Sequence, residues 1–258
     1  AGPEYPHYIS NWFELPNRYN RIVEMIRSVE IHNIMTTKEI QIDQKSAWAK
    51  KILPVVLPMV DKENQKVNEN PVFQSLESWD YHFSVESSEA TLFEVFFIEL
   101  MKAVFQDETG SDLYDEFLRD DRLAMYLINE IVSGKPDSWC DNIATADRTE
   151  DFDDMVDTAF LHALDWIELN ISTSTGDWNW GRQHQISFTH PLGSVPILKK
   201  LFKLEHGPYP VGGSYHTVCA YSYAAGRSFN SFTGASEPPK STVLARICLT
   251  PPDEPMPW

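Results

Sequence analysis

Apolar residues recur at helical spacing through the first two thirds of the chain. Between Arg18 and Ile31, the residues Ile22, Met25, Ile26 and Val29 fall three and four apart, which puts them on one face of a helix that follows Pro16. Thr36-Thr37-Lys38-Glu39 has the spacing of a capping box, in which a hydroxyl accepts from a first-turn amide and Glu39 reaches back. The helix it opens is expected to stop before Pro54, with a short apolar turn over Val55 to Val60 beyond. Ser87 or Ser88 is placed to cap a segment from Ala90 to Phe105. There Leu92, Phe93, Phe96, Phe97, Leu100, Met101 and Val104 cover most of the circumference, as a central helix requires. Asp121 to Val132 reads as another helix, closed by Gly134. Asp151 to Leu169 reads as a further one, with Phe152, Met155, Ala159, Phe160, Ala163 and Trp166 facing inward.

The pattern changes near Gly176. Gln185 to Phe188 reads as extended, and Ser194 to Phe202 as a short helix. Tyr215, Thr217, Cys219, Tyr221 and Tyr223 alternate with smaller residues, as in a strand with two distinct faces. Ser228 to Phe232 and Thr242 to Leu249 read as further strands. The expected class is therefore α+β: a helical region over 1–175, then a strand-rich region over 176–258.

A chain of 258 residues with 42% hydrophobic content has enough apolar material for one large core or two small ones. Its formal net charge of -17 repels phosphates, so neither nucleic acid nor an anionic membrane is an expected partner. No apolar run reaches the roughly 18 residues that a membrane span needs. The three cysteines, at 140, 219 and 248, are odd in number and form no CxxC, so they signal neither a disulfide framework nor a zinc site.

Tryptophan, glycine, histidine and proline crowd into Trp178-Asn179-Trp180-Gly181 through His184 to Phe188-Thr189-His190-Pro191-Leu192-Gly193, and Gly212-Gly213-Ser214-Tyr215-His216-Thr217-Val218 follows. This pair of segments resembles the C-terminal part of the penicillin acylase family of N-terminal-nucleophile amide hydrolases. Four other segments are similar to the family in the same order. They are Tyr5-Pro6-His7-Tyr8 running through Trp12 to Arg18 and Arg21-Ile22; Gln41, Asp43, Ser46 and Ala47 with the later Leu53-Pro54; Leu76, Trp79 and Asp80; and Ser231-Phe232 with Gly234-Ala235-Ser236.

The resemblance implies an αββα sandwich with added helices, of which this chain would be a C-terminal piece of the β subunit. It also implies a precursor that cleaves itself to free a terminal Ser, Thr or Cys. That residue's α-amine, with a pKa of about 8, serves as base for its own hydroxyl. Backbone amides and an asparagine side chain hold the oxyanion. The family's nucleophile is expected upstream of the matched segments, and its asparagine just before Pro3. This chain alone is therefore expected to be inactive. A small-molecule amide, linear or linked to a β-lactam, would be the substrate of the parent enzyme. The remainder of the precursor or its α subunit is the expected partner, with self-association through uncovered apolar faces as a further expectation. The family likeness implies a periplasmic or secreted location. It implies a structural calcium in the parent, with most ligands upstream; no metal or cofactor is expected here. After Ser236 the tail departs from the family pattern.

Few residues invite catalytic readings of their own. Arg18 matches the family arginine near the oxyanion asparagine, and a guanidinium there grips carboxylates or carbonyls bidentately. The plainer reading is a helix-start arginine paired with Glu14 or Glu24. Arg21 reads as structural. His184 and His190 are candidates for general base work or metal binding, against the plainer reading of satisfied buried histidines. Ser46, Ser87 and Ser236 lack any nucleophile elbow. The acidic groups Glu150, Asp151, Asp153 and Asp154, like Asp107-Glu108 and Asp120-Asp121, read as carboxylates at helix ends. An alternative for the whole chain is a non-catalytic interaction domain that reuses the acylase scaffold.

Overall fold

Side-chain caps set most of the helix starts. The computed structural model describes residues 5–9, 14–117, 122–135, 138–145, 147–189, 196–202 and 205–220. Helix α1 (Asn17–Arg27) follows Pro16 and fully buries none of its residues. Helix α2 (Ile34–Gln41) is capped by Asn33, whose carboxamide oxygen accepts from Met35 and Thr36 amides at 2.8 and 3.1 Å. Thr36 returns the favour by accepting from the Asn33 amide at 2.9 Å. The capping box thus lies three positions before the one expected at Thr36, because an asparagine was available as the stronger cap.

Helix α3 (Ala47–Val56) starts at Ser46, whose hydroxyl accepts from Ala49 N at 3.0 Å. Contrary to expectation, Ile42 to Ser46 is not helical and Pro54 lies inside α3. Proline strips a hydrogen bond from the Lys50 carbonyl, but Lys50 and Pro54 share the exposed side of the helix, where water can substitute. Helices α4 (Gln65–Asn68) and α5 (Pro71–Ser75) are short and capped by Asn64 and Asn70.

Helix α6 (Ser88–Phe117) is the central one. Ser87 caps it, its hydroxyl accepting from Ala90 N at 3.1 Å, and Gly110 kinks it at φ 69°. Helix α7 (Arg122–Val132) ends where Gly134, at φ 86°, donates its amide to the Ile131 carbonyl at 2.8 Å. Helix α8 (Phe152–Asn170) opens on a reciprocal Asp151–Asp154 capping box. Glu150 accepts from the Asn142 amide and the Thr145 hydroxyl. Asp151 and Asp154 therefore serve a helix start, while Glu150 holds the preceding loop.

The core lies where α6 meets α8. Phe96 and Phe160 stack with centroids 3.8 Å apart, and Phe73 meets Phe160 edge-on at 5.1 Å. A second aromatic run joins Trp48 to Phe97 at 5.5 Å, Phe97 to Phe93 at 6.3 Å and Phe93 to Phe83 at 6.1 Å. It carries the core toward the C-terminal region.

That region holds helix α9 (Trp180–Gln183), strand β1 (Gln185–Thr189), helix α10 (Pro196–Phe202) and strand β2 (Glu205–Pro210). The two strands pair antiparallel, with an irregularity between Ile186 and Phe188. The class is α+β, dominated by helix. Sequence periodicity did not indicate β2, whose Gly207, Pro208 and Pro210 argue against a strand; prolines fit here because among the described residues the sheet has two strands, each an edge. The strand expected from Tyr215 is absent as far as Ala220. A hydroxyl knot replaces it: Thr217 Oγ1 accepts from Ser214 N at 2.9 Å and lies 3.0 and 2.9 Å from the Ser214 and Cys219 carbonyls. Tyr221, Tyr223 and the expected strands at 228–232 and 242–249 lie outside the described residues.

Candidate functional site

The stretch from Tyr81 to Ser87 is the hub on which the sequence motifs converge. It runs between Trp79-Asp80 and α6, and its backbone bonds to segments on both sides. Phe83 N donates to the Gln44 carbonyl at 3.0 Å, and Ser46 N to the Tyr81 carbonyl at 2.9 Å. On its other side Gly181 N reaches Val85 O at 2.8 Å, Trp180 N reaches Ser87 O at 3.0 Å, and Gly213 N reaches Phe83 O at 2.7 Å. Gly212 must lack a side chain, because a Cβ there would stand 2.6 Å from the Phe83 carbonyl oxygen. Gly213 has φ 74°, a backbone region that glycine enters freely.

Trp180 and His184 lock this platform from within. The Trp180 indole N–H donates to the Gly213 carbonyl at 2.8 Å, and its ring meets Phe83 edge-on at 5.7 Å. One turn on, His184 stacks against Trp180 at 4.8 Å and 22°. Its Nδ1 lies 3.0 Å from the Val211 carbonyl, an acceptor, so Nδ1 carries the proton. Burial pushes the His184 pKa down to about 4. His184 is thus a neutral, buried histidine that ties α9 to the chain leaving β2.

His216 is buried more severely. Its pKa is pushed down to about 3, first by burial and then by the Arg18 charge. The ring meets Phe97 of α6 edge-on at 6.1 Å, and its Nε2 is buried without a hydrogen-bond partner.

Both candidate arginines meet this platform from α1, on successive turns. The Arg18 guanidinium lies over the Tyr215 ring, 5.2 Å from its centroid, within the reach of a cation–π contact. The expected pairing of Arg18 with Glu14 or Glu24 is not what forms. Tyr215 donates its hydroxyl to Glu14 at 2.6 Å, and Glu24 lies 3.1 Å from Arg21. Arg21 grips Asp43 with two bonds, Nε to Oδ2 at 2.9 Å and Nη2 to Oδ1 at 2.7 Å. Hydrogen bonding to Asp43 holds the Arg21 pKa above the ordinary arginine value. Asp43 also gives its backbone carbonyl to Cys219 N at 2.9 Å.

The structure therefore brings Arg18 into the same cluster as Tyr215 and His216, while His184 sits behind it within the platform. His190 and Ser236 lie outside the described residues. Ser46 and Ser87 are helix caps. Asp107 accepts from Ile143 N at 2.9 Å on the far side of α6, and Asp120-Asp121 lies outside the described residues. Among the described residues no group of three His, Cys, Asp or Glu stands close enough to share a metal ion. Also among the described residues, no helix is long and apolar enough to cross a membrane. Sequence reasoning placed Asp43, Tyr215 and His216 in family-like segments but gave none of them a role in a site. The available signal was two arginines one turn apart at the start of α1, of which Arg21 is the one that pairs with Asp43.

The sequence model of the penicillin amidase family matches residues 1–238, nearly the whole chain. The chain belongs to the penicillin amidase family. It is similar to acyl-homoserine lactone acylase QuiP of Pseudomonas aeruginosa, 23% identical over 255 residues, covering 89% of this chain and 30% of that protein. The QuiP proteins of Pseudomonas fluorescens and Pseudomonas putida are 23% and 22% identical over 88% of the chain. The chain thus spans about 30% of the length of the curated relatives it matches.

Proposed function

We propose that this chain is the scaffold portion of an acylase that hydrolyses a linear amide, with N-acyl-homoserine lactones as the first substrate class to test. The family match over residues 1–238, together with the convergence of its motif segments on one buried platform, carries this reading. Acyl-homoserine lactones come to the fore because the similar proteins are named for them; β-lactam amides are the second class. In this reading the attacking hydroxyl, its α-amine base and the side-chain oxyanion donor come from a part of the enzyme that these 258 residues do not include. In this reading the charge of Arg18, held over the Tyr215 ring, supports the oxyanion machinery. His184 acts as a neutral buried tie.

The partner is the rest of that acylase. Ile26, Ile31, Ile34 and Met35 on and between α1 and α2 are exposed, at 47%, 81%, 84% and 62%. Exposed aliphatic side chains so close in sequence suit a surface that is covered in an assembly. The complementary portion of the acylase covers it in the assembled enzyme, and self-association covers it otherwise. The location is the periplasm or the exterior.

The test is hydrolysis of an acyl-homoserine lactone or a phenylacetyl amide by the chain alone and by the chain combined with the nucleophile-bearing portion of such an acylase. Turnover only in the combination supports the reading. Turnover by the chain alone above a heat-inactivated control contradicts the assignment of the nucleophile elsewhere.

A further inference from the structure

Asp43 is buried, at 7% exposure, yet it belongs to none of the helices that surround it. It occupies the connector between α2 and α3 and binds in two directions. Its carboxylate takes both bonds of the Arg21 fork, and its carbonyl takes the Cys219 amide at 2.9 Å. Arg21 and Arg18 stand three apart on α1, on one face of the helix. Tyr215 and Cys219 stand on the turn that the Thr217 hydroxyl closes. A single residue therefore joins the helix that carries Arg18 to the turn that carries Tyr215.

We infer that Asp43 is a positioning residue: by clamping α1 to the 213–219 turn, it fixes the Arg18 guanidinium over the Tyr215 ring. The remaining contacts of α1 explain why a clamp is needed. The helix fully buries no residue, so apolar packing holds it only lightly, and Ile26 is exposed. A cation–π contact and an exposed tyrosine–carboxylate bond are each too weak to set a helix angle. A bidentate arginine–carboxylate pair with low exposure, 17% and 5% for the two side chains, sets distance and orientation together. The Tyr215–Glu14 bond at 2.6 Å then tethers the hydroxyl of the same ring. The inference deepens the proposed function, and rests on it only for the step from position to catalysis.

The experiment uses the full chain and reads Arg18 directly. A guanidinium over an aromatic face has side-chain proton resonances shifted upfield, and Tyr215→Leu, which removes the ring, assigns them. Asp43→Asn keeps size and most hydrogen-bonding capacity but removes the charge. Expected is loss of most of the Arg18 upfield shift with the helical circular dichroism retained. A folded Asp43→Asn chain with the Arg18 signal unchanged overturns the inference. Should that variant not fold, Arg21→Lys keeps the charge and loses the fork; the same loss of shift is expected, and an unchanged signal is again fatal. Asp43→Glu, which restores the charge, is expected to recover part of the shift. A second arm measures turnover with the nucleophile-bearing portion present. There Asp43→Asn is expected to lower kcat by on the order of a hundredfold, the cost of displacing a group by about 1 Å, with KM little changed. If the unsubstituted combination shows no turnover, the proposed function fails while the resonance shift still decides the role of Asp43.

Discussion

Trp180 donates its indole N–H to the carbonyl of Gly213 at 2.8 Å, joining the two segments of densest sequence signal. The bond is buried, so its loss leaves a carbonyl without water or partner. Trp180→Phe preserves the edge contact to Phe83 and removes only the donor. It is expected to lower the stability of the chain by about 1–3 kcal/mol, read as a lower denaturant midpoint at constant slope. A midpoint equal to that of the unsubstituted chain would show that the bond contributes nothing.

Gly213→Ala attacks the same junction through the backbone. At φ 74° an alanine costs roughly 1–2 kcal/mol before any overlap. Its Cβ would also stand 3.1 Å from the Thr217 hydroxyl and closer still to the Cys219 carbonyl. The expected loss exceeds that of Trp180→Phe, with thermal unfolding as the check. A Gly213→Ala chain melting at the original temperature means that the turn adopts another conformation.

The two buried histidines give the chain an acid limb. Burial lowers their pKa values to about 4 and about 3, below the ordinary value near 6.5. As pH falls below about 6.5, the unfolded chain takes up protons that the folded chain refuses. Stability is therefore flat above about 6.5 and falls below it, by up to about 1.4 kcal/mol per pH unit for each histidine. The loss ends near the folded values. His184→Gln keeps a donor for the Val211 carbonyl and is expected to make that limb shallower. A His184 ring resonance that titrates near 6.5 in the folded chain contradicts the assignment.

Phe160 lies between Phe96 and Phe73 and has no exposed surface. Phe160→Ala removes the aromatic stack at the centre of the α6–α8 interface. It is expected to cost about 3–5 kcal/mol, enough to unfold a marginal domain. Urea denaturation followed by circular dichroism measures it, and a cost under 1 kcal/mol would place the centre of the core elsewhere.

Much of the helical body was legible because Phe93, Phe96, Phe97, Leu100 and Val104 repeat at helical spacing and fill the place that spacing assigns them. Local competition defeated the reading elsewhere. Asn33 outcompeted Thr36 as a cap, and Pro54 was tolerated where its missing bond faces solvent. Tyr215 to Cys219 alternates like a strand, yet the Thr217 hydroxyl satisfies the same backbone groups at shorter range. Glu205 to Pro210 looks unlike a strand and becomes one because its prolines sit on an edge. In the site, Arg18 was found by likeness to the family, but its partner was not. Tyr215 is remote from it in sequence, and no local pattern announces a contact between a helix and a distant turn.

The most direct measurement of the central claim is the rate of acyl-homoserine lactone hydrolysis by this chain, alone and with the nucleophile-bearing portion of such an acylase. The account predicts no turnover for the chain alone, turnover in the combination, and its loss when the terminal nucleophile of the added portion is replaced by alanine. Hydrolysis by the chain alone, insensitive to that replacement, would contradict it.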